Sequence, residues 1–511
     1  MLSKVLSYGL NGIEGYLVTT EVDISNGLPS FDIVGLGDTS IKESKERVKA
    51  GIKNSGFEYP VNKITVNLAP ADRRKEGPLF DLSIAVGILS ASNQIHFAKT
   101  QEFIFIGELS LDGGIRRVNG VLPILISARK AGYKKFIIPF ENQKEASFIE
   151  GIEVYPAKSL SEVYKFLNGE IQINQVQVIS YEAFKDSHNY GLDFCFVKGQ
   201  ASAKRALEIA AAGGHNIIMV GPPGSGKTML AKCFGTILPD MTFEESLEVT
   251  KIHSVAGTLD SKEGIIYKRP FRSPHHTASL VSLTGGGKNS KPGEISLSHN
   301  GVLFLDEMPE YDRHTIETLR QPLEDGNITV ARANQTLNYP ADFILVASMN
   351  PCPCGFYGSK KGECKCTPMQ IHRYLSKLSG PLMDRIDLHI EVDNVTYDDL
   401  TNKDNNEEKS DKIKERVDFA RKIQLERLKS EKVFSNASMS VKACNKYCSL
   451  DKESEDLLRN AFERLSLSAR AYNRILRVAR TISDLEGSER IKMEHIAEAI
   501  QYRTLDKKYW G

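Results

Sequence analysis

The segment Gly221-Pro-Pro-Gly-Ser-Gly-Lys-Thr228 has the residue types and the spacing of a phosphate-binding loop. An apolar run typical of a short buried strand, Asn216–Val220, precedes it, and a helical run, Met229–Phe234, follows. In that setting backbone N–H groups close around phosphates, the lysine reaches the β/γ oxygens, and the threonine hydroxyl binds Mg²⁺. The pattern predicts ATP or GTP binding. The predicted ligand contacts are Gly221, Gly224, Ser225, Gly226, Lys227 and Thr228.

Two carboxylates follow a second apolar run, Val302-Leu-Phe-Leu-Asp306-Glu307. Phosphoryl transfer needs a carboxylate for Mg²⁺ and a group that orients water, and Asp306 and Glu307 suit those two roles. A further apolar run, 342–350, ends at Asn350, whose amide can hold the water or the γ-phosphate. A buried strand that ends in surface acids is the alternative for Asp306 and Glu307. The order of strand, acid pair, strand and asparagine is expected of AAA+ ATPases.

Two arginines are candidates for stabilising charge on the γ-phosphate. Arg385, in Pro381-Leu-Met-Asp-Arg-Ile-Asp-Leu, can act as a finger that reaches a neighbouring subunit's nucleotide. Arg470, in Ser468-Ala-Arg-Ala-Tyr, opens a predicted lid helix and can reach the nucleotide of its own subunit, with Arg474 as the rival for that role. Surface ion pairing is the alternative for all three.

Length and composition limit the remaining possibilities. A chain of 511 residues is expected to form two to four domains. Its 66 lysines and arginines nearly balance 65 acidic residues, so nucleic-acid or membrane binding must come from local patches. No apolar run has the length of a membrane-spanning helix, and no signal peptide is evident, so we expect a cytoplasmic protein without membrane partners.

The periodicities divide the chain into an α/β unit at 1–168, a linker at 169–190, a second α/β unit at 191–395, and a charged helix with a helical lid at 396–511. In the last region a loop is expected from Asn402 to Ser410 and a helix from Lys412 to Leu428. In the first unit, strands are predicted at 15–23, 63–67, 103–106 and 135–138, and helices at 38–55, 80–92, 121–131 and 159–167.

Four of the eight cysteines cluster as two C-x-C pairs, Cys352/Cys354 and Cys364/Cys366. Four thiolates on one loop can surround a tetrahedral Zn²⁺, although C-x₂-C is the commoner spacing. Free thiols or a labile disulfide are the alternatives. Cys444 and Cys448 are expected to be ordinary helix residues, and Cys195 and Cys233 to be core residues.

Two segments can hold DNA if the protein is a ring motor. Gly257–Gly293 is rich in glycine and in cations, including Arg272 and Lys288, and is expected to be a flexible insertion that tracks phosphates. Gly326–Tyr339 is predicted to be a β-hairpin with Arg332 near its tip. Solvated basic loops are the alternative. A metal site at His275-His276 is disfavoured, because adjacent side chains in an extended loop point apart.

Over nearly its whole length the chain resembles the magnesium-chelatase-like AAA+ ATPases of the bacterial YifB/ComM family. The resemblance implies a hexameric ring, with Arg385 acting across the subunit interface and Arg470 as the lid sensor. It also implies a DNA helicase that drives branch migration during natural transformation, with recombination proteins as partners. The segments that carry it are Asp32–Leu36, Arg269–Thr277, Pro292–Glu307, Asn350–Gly355, Asp384–Leu388 and Ser468–Leu476.

Residues 1–168 resemble the proteolytic domain of Lon-type proteases, through Gly107–Gly113, Ala128–Tyr133 and Phe136–Asn142. Such proteases need a serine nucleophile and a lysine base. Leu79 and Leu122 stand at the matching positions here, and nothing places nearby Ser83 and Lys75 in hydrogen-bond reach. We therefore expect an inactive protease fold.

The predicted fold is α/β: a P-loop AAA+ core with a Lon-protease-like α/β N-terminal domain and an all-helical C-terminal lid. The predicted function is a DNA motor that uses ATP and Mg²⁺. A metal-chelatase motor, an ATP-dependent protease and a protein-remodelling chaperone remain as rivals.

Overall fold

The computed structural model describes residues 1–184, 191–287, 290–332, 335–358, 362–396, 407–431, 433–465 and 467–509. Most of the loop predicted at Asn402–Ser410 therefore lies outside the described residues. None of the described helices combines the length and apolar character that a membrane crossing requires.

The N-terminal region is built on a seven-stranded mixed sheet with the order β3-β4-β2-β1-β5-β8-β9. Helix α2 is buried along its whole length, which explains why its sequence is apolar all round. The four helices and the four strands predicted here are confirmed to within about two residues at each end. The run predicted at 15–23 belongs to a strand that begins at Glu14 and continues to Ser25. The strands are β1 Leu2–Asn11, β2 Glu14–Ser25, β3 Ser30–Val34, β4 Lys63–Ala69, β5 Ile104–Phe105, β6 Glu108–Leu109, β7 Ile115–Arg116, β8 Lys135–Pro139 and β9 Glu153–Ala157, and the helices are α1 Thr39–Asn54, α2 Asp81–Ala91, α3 Phe97–Thr100, α4 Val121–Lys130, α5 Gln143–Ala146 and α6 Leu160–Leu167.

The segment predicted to be a linker is attached to both neighbouring regions. Val176 donates a backbone hydrogen bond to Val154 on the edge strand β9, at 2.9 Å. Helix α7, Tyr181–Phe184, buries Tyr181, whose hydroxyl donates to the Met241 carbonyl at 3.1 Å. One aromatic side chain thus fixes the end of a polar segment to the second α/β region.

The second region contains a five-stranded, all-parallel sheet with the order β11-β14-β17-β10-β18. Ile217 and Met219 of β10 face one apolar core and Ile218 and Val220 face another, as expected for a parallel sheet that is covered on both faces. The strands are β10 Ile217–Val220, β11 Phe271–Arg272, β12 Gly285–Gly286, β13 Lys291–Pro292, β14 Val302–Leu305, β15 Asn327–Arg332, β16 Gln335–Pro340, β17 Ile344–Met349 and β18 Leu388–Glu391, and the helices are α8 Ala201–Gly213, α9 Lys227–Phe234, α10 Phe243–Ala256, α11 Leu280–Thr284, α12 Glu294–Leu297, α13 Arg313–Glu317, α14 Pro322–Asp325, α15 Pro368–Leu375 and α16 Gly380–Met383.

The described C-terminal residues are helical, as predicted. Helix α20 begins after Ser468, whose hydroxyl accepts the backbone N–H of Ala471 at 3.1 Å. Its buried face shares an apolar core with helix α8 and one face of the parallel sheet, so the lid and the sheet are packed together. The helices are α17 Ser410–Leu428, α18 Val441–Tyr447, α19 Lys452–Leu465, α20 Ala469–Leu485, α21 Met493–Gln501 and α22 Leu505–Tyr509.

Candidate nucleotide site

The sheet order brings the predicted nucleotide residues together. Strands β14, β17 and β10 are adjacent and parallel, so their carboxyl ends meet at one edge. Asp306 follows the end of β14, Asn350 follows β17, and Gly221 follows β10. This edge is where open α/β sheets bind ligands.

The phosphate loop turns directly into helix α9. Gly226 is the residue before the helix, with φ of 89°, a left-handed conformation that disfavours any residue with a Cβ. Gly224, Gly226 and Thr228 are exposed on this edge, whereas Gly221 and Ser225 are buried. The first turn of α9 thus presents its N–H groups to a ligand.

The Lys227 ammonium lies in the cradle of the loop. Its Nζ donates to the Gly221 carbonyl at 2.7 Å and to the Pro222 carbonyl at 2.9 Å, and lies 3.4 Å from Oδ1 of Asn350. Burial lowers the pKa of Lys227, while the carboxylates of Asp306 and Glu307 oppose that shift. The geometry therefore groups lysine, asparagine and both acids.

Asp306 is held from two sides. Thr228 Oγ1 donates to Asp306 Oδ2 at 2.8 Å, which joins the hydroxyl and the carboxylate predicted to bind Mg²⁺. The backbone N–H of Glu307 donates to Asp306 Oδ1 at 3.1 Å. Ser348 Oγ also donates to Oδ1, and it accepts from the Glu307 N–H at 3.2 Å.

Glu307 has φ of 51°, an uncommon conformation for a residue with a side chain. Its side chain is exposed on the ligand edge, next to the better buried Asp306. A strained backbone at this position is consistent with a functional role for the residue.

Ser348 is a site residue that the sequence analysis missed. It is fully buried on β17, two residues before Asn350. Because strand side chains alternate, this spacing places Ser348 and Asn350 on the same face of the sheet. The two-residue spacing is the sequence signal that could have identified Ser348.

We expect Ser348→Ala to raise the Mg²⁺ concentration for half-maximal ATPase activity by about tenfold, because partners of metal-binding carboxylates typically contribute that much. A titration of ATPase rate against Mg²⁺ measures this shift. The matched control is Ser90→Ala, a buried serine whose hydroxyl has no hydrogen-bond partner among the described residues. An unchanged Mg²⁺ dependence for Ser348→Ala would contradict the assignment.

The arginine candidates lie at the opposite side of the sheet, where the parallel strands begin. Arg385 precedes β18 and pairs with Glu324, and Arg470 lies 3.6 Å from the same carboxylate. The Arg385 carbonyl accepts from Asn216, just before β10, at 3.2 Å. Since β10 is four residues long, the two edges are about 13 Å apart. Arg470 thus lies beside Arg385 and not beside Lys227.

A cavity of about 560 Å³ lies at this second edge, between the sheet and the lid. Arg474 donates to the Arg385 carbonyl at 2.9 Å and pairs with buried Asp387. Burial raises the pKa of Asp387, but the guanidinium of Arg474, the neighbouring His215 and the Asn216 N–H outweigh that effect and hold the pKa well below its usual range. The lid helix α20 is therefore tied to the arginine at the end of the sheet.

The four clustered cysteines converge in space. Their sulfur atoms all lie within 4.8 Å of one another. The Cys352–Cys354 distance is 3.3 Å, and Cys364 lies 3.7 Å from each of those two sulfurs. Tetrahedral zinc with Zn–S bonds of about 2.3 Å would separate its sulfurs by about 3.8 Å, so the cluster fits this ion. Backbone N–H groups of Phe356 and Lys365 lower the pKa of Cys354 to about 6.

The predictions for Cys233 and Cys444 are confirmed, since both are buried and Cys444 lies within α18. Cys448 is buried too, but it directly follows the end of α18 and is not a helix residue as predicted. Cys195 is only partly buried, because it lies in a short helical turn after Asp193 rather than in a strand or helix of the core.

The described parts of the predicted DNA segments differ in structure. The hairpin β15–β16 is confirmed, and the backbone of Arg332 lies at its tip, paired with Gln335. Arg272 lies in β11 at the edge of the parallel sheet and forms a two-bonded ion pair with Glu294, at 2.6 and 2.7 Å. Lys288 lies outside the described residues.

Two expectations for the segment Gly257–Gly293 are wrong. It is not a flexible insertion throughout, because Phe271 and Arg272 form the fifth strand of the sheet. The rings of His275 and His276 do not point apart but lie with their centroids 4.1 Å apart and their planes inclined by 34°. Among the described residues, the cysteine cluster is the only group of three or more cysteine, histidine, aspartate or glutamate side chains that converge closely enough to share one metal ion.

The N-terminal region offers no protease pair at the positions considered. Leu79 and Leu122 are buried, with 7% and 1% exposure. Ser83 hydrogen bonds to Thr20 and to the Phe80 carbonyl, both at 2.9 Å, whereas Lys75 donates to the Pro70 carbonyl. Serine and lysine therefore have separate partners.

The fold and the site define a P-loop protein of the AAA+ ATPase class. Profiles described as "Magnesium chelatase, subunit ChlI", "Subunit ChlI of Mg-chelatase" and "Magnesium chelatase, subunit ChlI C-terminal" match residues 193–400, 20–142 and 407–503. The chain is 44% identical to the competence protein ComM of Haemophilus influenzae, over 99% of this chain and 98% of that protein. It is 42% identical to YifB of Escherichia coli over the same shares. The chain belongs to the YifB/ComM family of magnesium-chelatase-like AAA+ proteins.

A partial similarity connects the chain to a protease. It is 31% identical to Lon protease 2 of Bacillus subtilis over 173 residues, which cover 30% of each chain. A similarity of that extent supports the predicted Lon-like N-terminal domain only weakly.

Proposed function

We propose that this protein is an ATP-hydrolysing AAA+ ring motor that acts on DNA, as a helicase or branch-migration enzyme in the recombination that follows natural transformation. The convergence of Lys227, Thr228, Asp306, Glu307 and Asn350 at one sheet edge carries the ATPase part. The DNA part is supported by the full-length similarity to ComM, a protein named for competence, the ability of cells to take up DNA.

Each side chain at the edge has a role in this proposal. The N–H groups of the loop and Lys227 bind the phosphates, and Thr228 and Asp306 hold Mg²⁺, which neutralises developing charge on the phosphates. Ser348 fixes the orientation of Asp306. Glu307 accepts the proton of the attacking water, and Asn350 orients that water.

Arg385 and Arg470 act on a different nucleotide in this proposal. Both lie at the sheet edge opposite Lys227, so we assign them to the nucleotide of a neighbouring subunit in a homo-hexamer. For Arg470 this revises the expectation of a role within its own subunit. Arg385 must exchange Glu324 for phosphate when the neighbour binds ATP.

The proposed DNA contacts are Arg332 in the hairpin β15–β16, Lys288 in the sequence between β12 and β13, and Arg272 in β11. Arg272 already pairs with Glu294, so its contact to phosphate requires that pair to open. Single-stranded or branched DNA is the proposed substrate, and recombination proteins are the proposed partners.

We also propose that the four cysteines bind structural Zn²⁺, because four sulfurs at near-tetrahedral separations match its preferred ligand set.

Strand displacement tests the DNA motor. We expect the protein with ATP to displace a labelled strand from a three-way junction, and Lys227→Ala to displace none. Arg332→Ala should retain the ATPase rate measured without DNA but lose most of its strand-displacement activity. The substitution removes one proposed contact to DNA phosphate from every subunit of the ring, so the losses add up. Displacement that persists in Lys227→Ala, or is absent from assembled wild-type protein, would contradict the proposal.

A metal-chelatase-like or protein-remodelling motor is the second candidate. It is favoured by the three magnesium-chelatase profiles, which together match most of the chain. An ATPase rate that responds to an added protein client or metal-carrying subunit, and not to DNA, would support it.

A further inference from the structure

The cysteine cluster lies directly against the nucleotide site. Asn350 directly follows strand β17, and Cys352, which is fully buried, lies two residues further along the chain. The cluster therefore begins two residues after Asn350, the residue proposed to orient the attacking water. Its other pair, Cys364 and Cys366, leads into helix α15.

A glycine brings the cysteine loop into contact with the phosphate loop. Gly355 has φ of 84°, and a Cβ at this position would lie 2.4 Å from Cδ of Pro223. Pro223 belongs to the segment that is expected to surround the phosphates. Only a residue without a side chain allows the two loops to approach so closely.

A second contact closes the loop on itself. Tyr374 of α15 is buried, and the backbone of Asn350 lies near its hydroxyl. The chain thus leaves the site at Asn350, passes through both cysteine pairs and returns to Asn350. The Cys352 sulfur also accepts the backbone N–H of Tyr357 at 3.3 Å.

The loop has few other sources of order. Residues 351–358 and 362–367 contain no helix or strand, and the sequence between the cysteine pairs is Gly-Phe-Tyr-Gly-Ser-Lys-Lys-Gly-Glu. Glycines and lysines in such a segment supply little apolar burial to offset its conformational entropy. A metal ion held by the four cysteines would supply the missing constraint, since metal binding and local folding are coupled.

We propose that Zn²⁺ bound by Cys352, Cys354, Cys364 and Cys366 positions the ATP site, by fixing Pro223 through Gly355 and by fixing Asn350. The cysteines are positioning residues and do not contact the nucleotide. The inference rests on the proposed nucleotide site, but it predicts metal content and ATP binding independently of hydrolysis.

The test combines metal analysis with nucleotide binding on the full-length protein. We expect about one zinc per chain by mass spectrometry, as one Cys₄ site requires. Cys364→Ser should lose the zinc and weaken binding of a fluorescent ATP analogue by about tenfold. Cys364→His should recover both, because histidine is a zinc ligand and serine is a poor one. Cys195→Ser, outside the cluster, is the matched control.

Gly355→Ala tests the route from the metal to the phosphate loop. This variant should keep its zinc but weaken ATP binding, because the new methyl group displaces Pro223. Circular dichroism and thermal melting establish that each variant remains folded.

The outcomes separate this inference from the proposed function. Wild-type protein without zinc, or zinc-free Cys364→Ser with unchanged ATP affinity, would overturn the inference. Gly355→Ala with unchanged affinity would overturn the contact route. Wild-type protein that binds zinc and ATP but never hydrolyses ATP would contradict the proposed function, while the positioning role would still be decided by the binding measurements.

Discussion

Glu307→Gln should stop ATP turnover, lowering kcat by about 10³-fold while leaving ATP affinity unchanged. The amide has the size of the carboxylate but cannot accept the proton of the attacking water. The ligands proposed for Mg²⁺, Thr228 and Asp306, stay in place because they are joined at 2.8 Å without the Glu307 side chain. Phosphate release gives kcat, and the fluorescence of an ATP analogue gives affinity.

The control for Glu307 is Glu310→Gln. Glu310 is an exposed acid three residues further along the chain, and its carboxylate lies 3.8 Å from Lys377. We expect this variant to retain the wild-type rate. Turnover of Glu307→Gln near the wild-type rate would show that another group activates water.

Arg385→Ala should also abolish turnover, by about 10³-fold or more, because an arginine finger contributes that much to phosphoryl transfer. We propose that the effect arises in trans, since Arg385 lies at the amino-terminal end of the parallel strands and Lys227 at the carboxyl end. Mixing the Arg385→Ala and Lys227→Ala variants tests whether Arg385 acts across the subunit interface. In rings assembled from equal amounts of the two, roughly a quarter of the interfaces pair an intact phosphate loop with an intact arginine.

Partial recovery of ATPase activity on mixing is therefore the expected result. Each variant alone supplies the baseline, and size-exclusion chromatography establishes that mixed rings assemble. Full activity of an isolated monomer, or mixed rings without recovery, would contradict a role for Arg385 across the interface.

The sequence predicted the parts of the site that depend on local pattern. The phosphate loop is continuous in the chain, and Asp306 and Asn350 each follow an apolar strand, so their positions at the carboxyl end of the sheet could be predicted from short segments. The hairpin around Arg332 was predicted for the same reason, since alternation and a turn lie within one segment.

Other features depend on the order of strands and the docking of helices. The spacing of Ser348 and Asn350 places both on one face of β17, but the contact of Ser348 with Asp306 becomes recognisable only when β14 and β17 are neighbours. The sequence predicts that Arg470 contacts the nucleotide of its own subunit, because it does not show at which end of the parallel strands helix α20 packs. Contact with Glu324 at the far edge depends on tertiary packing. The hydrogen bond from the Tyr181 hydroxyl to the Met241 carbonyl likewise depends on tertiary packing, so the sequence alone does not show the role of Tyr181.

We propose that ATP hydrolysis by this chain is coupled to DNA. The most direct test is the steady-state ATPase rate of assembled protein without DNA and with single strands, duplexes, and three- and four-way junctions, beside Lys227→Ala as the blank. Strong stimulation by single-stranded or branched DNA, absent from the variant, is the predicted result. A rate that is the same with every DNA would contradict the account and favour a protein-remodelling or chelatase-like motor.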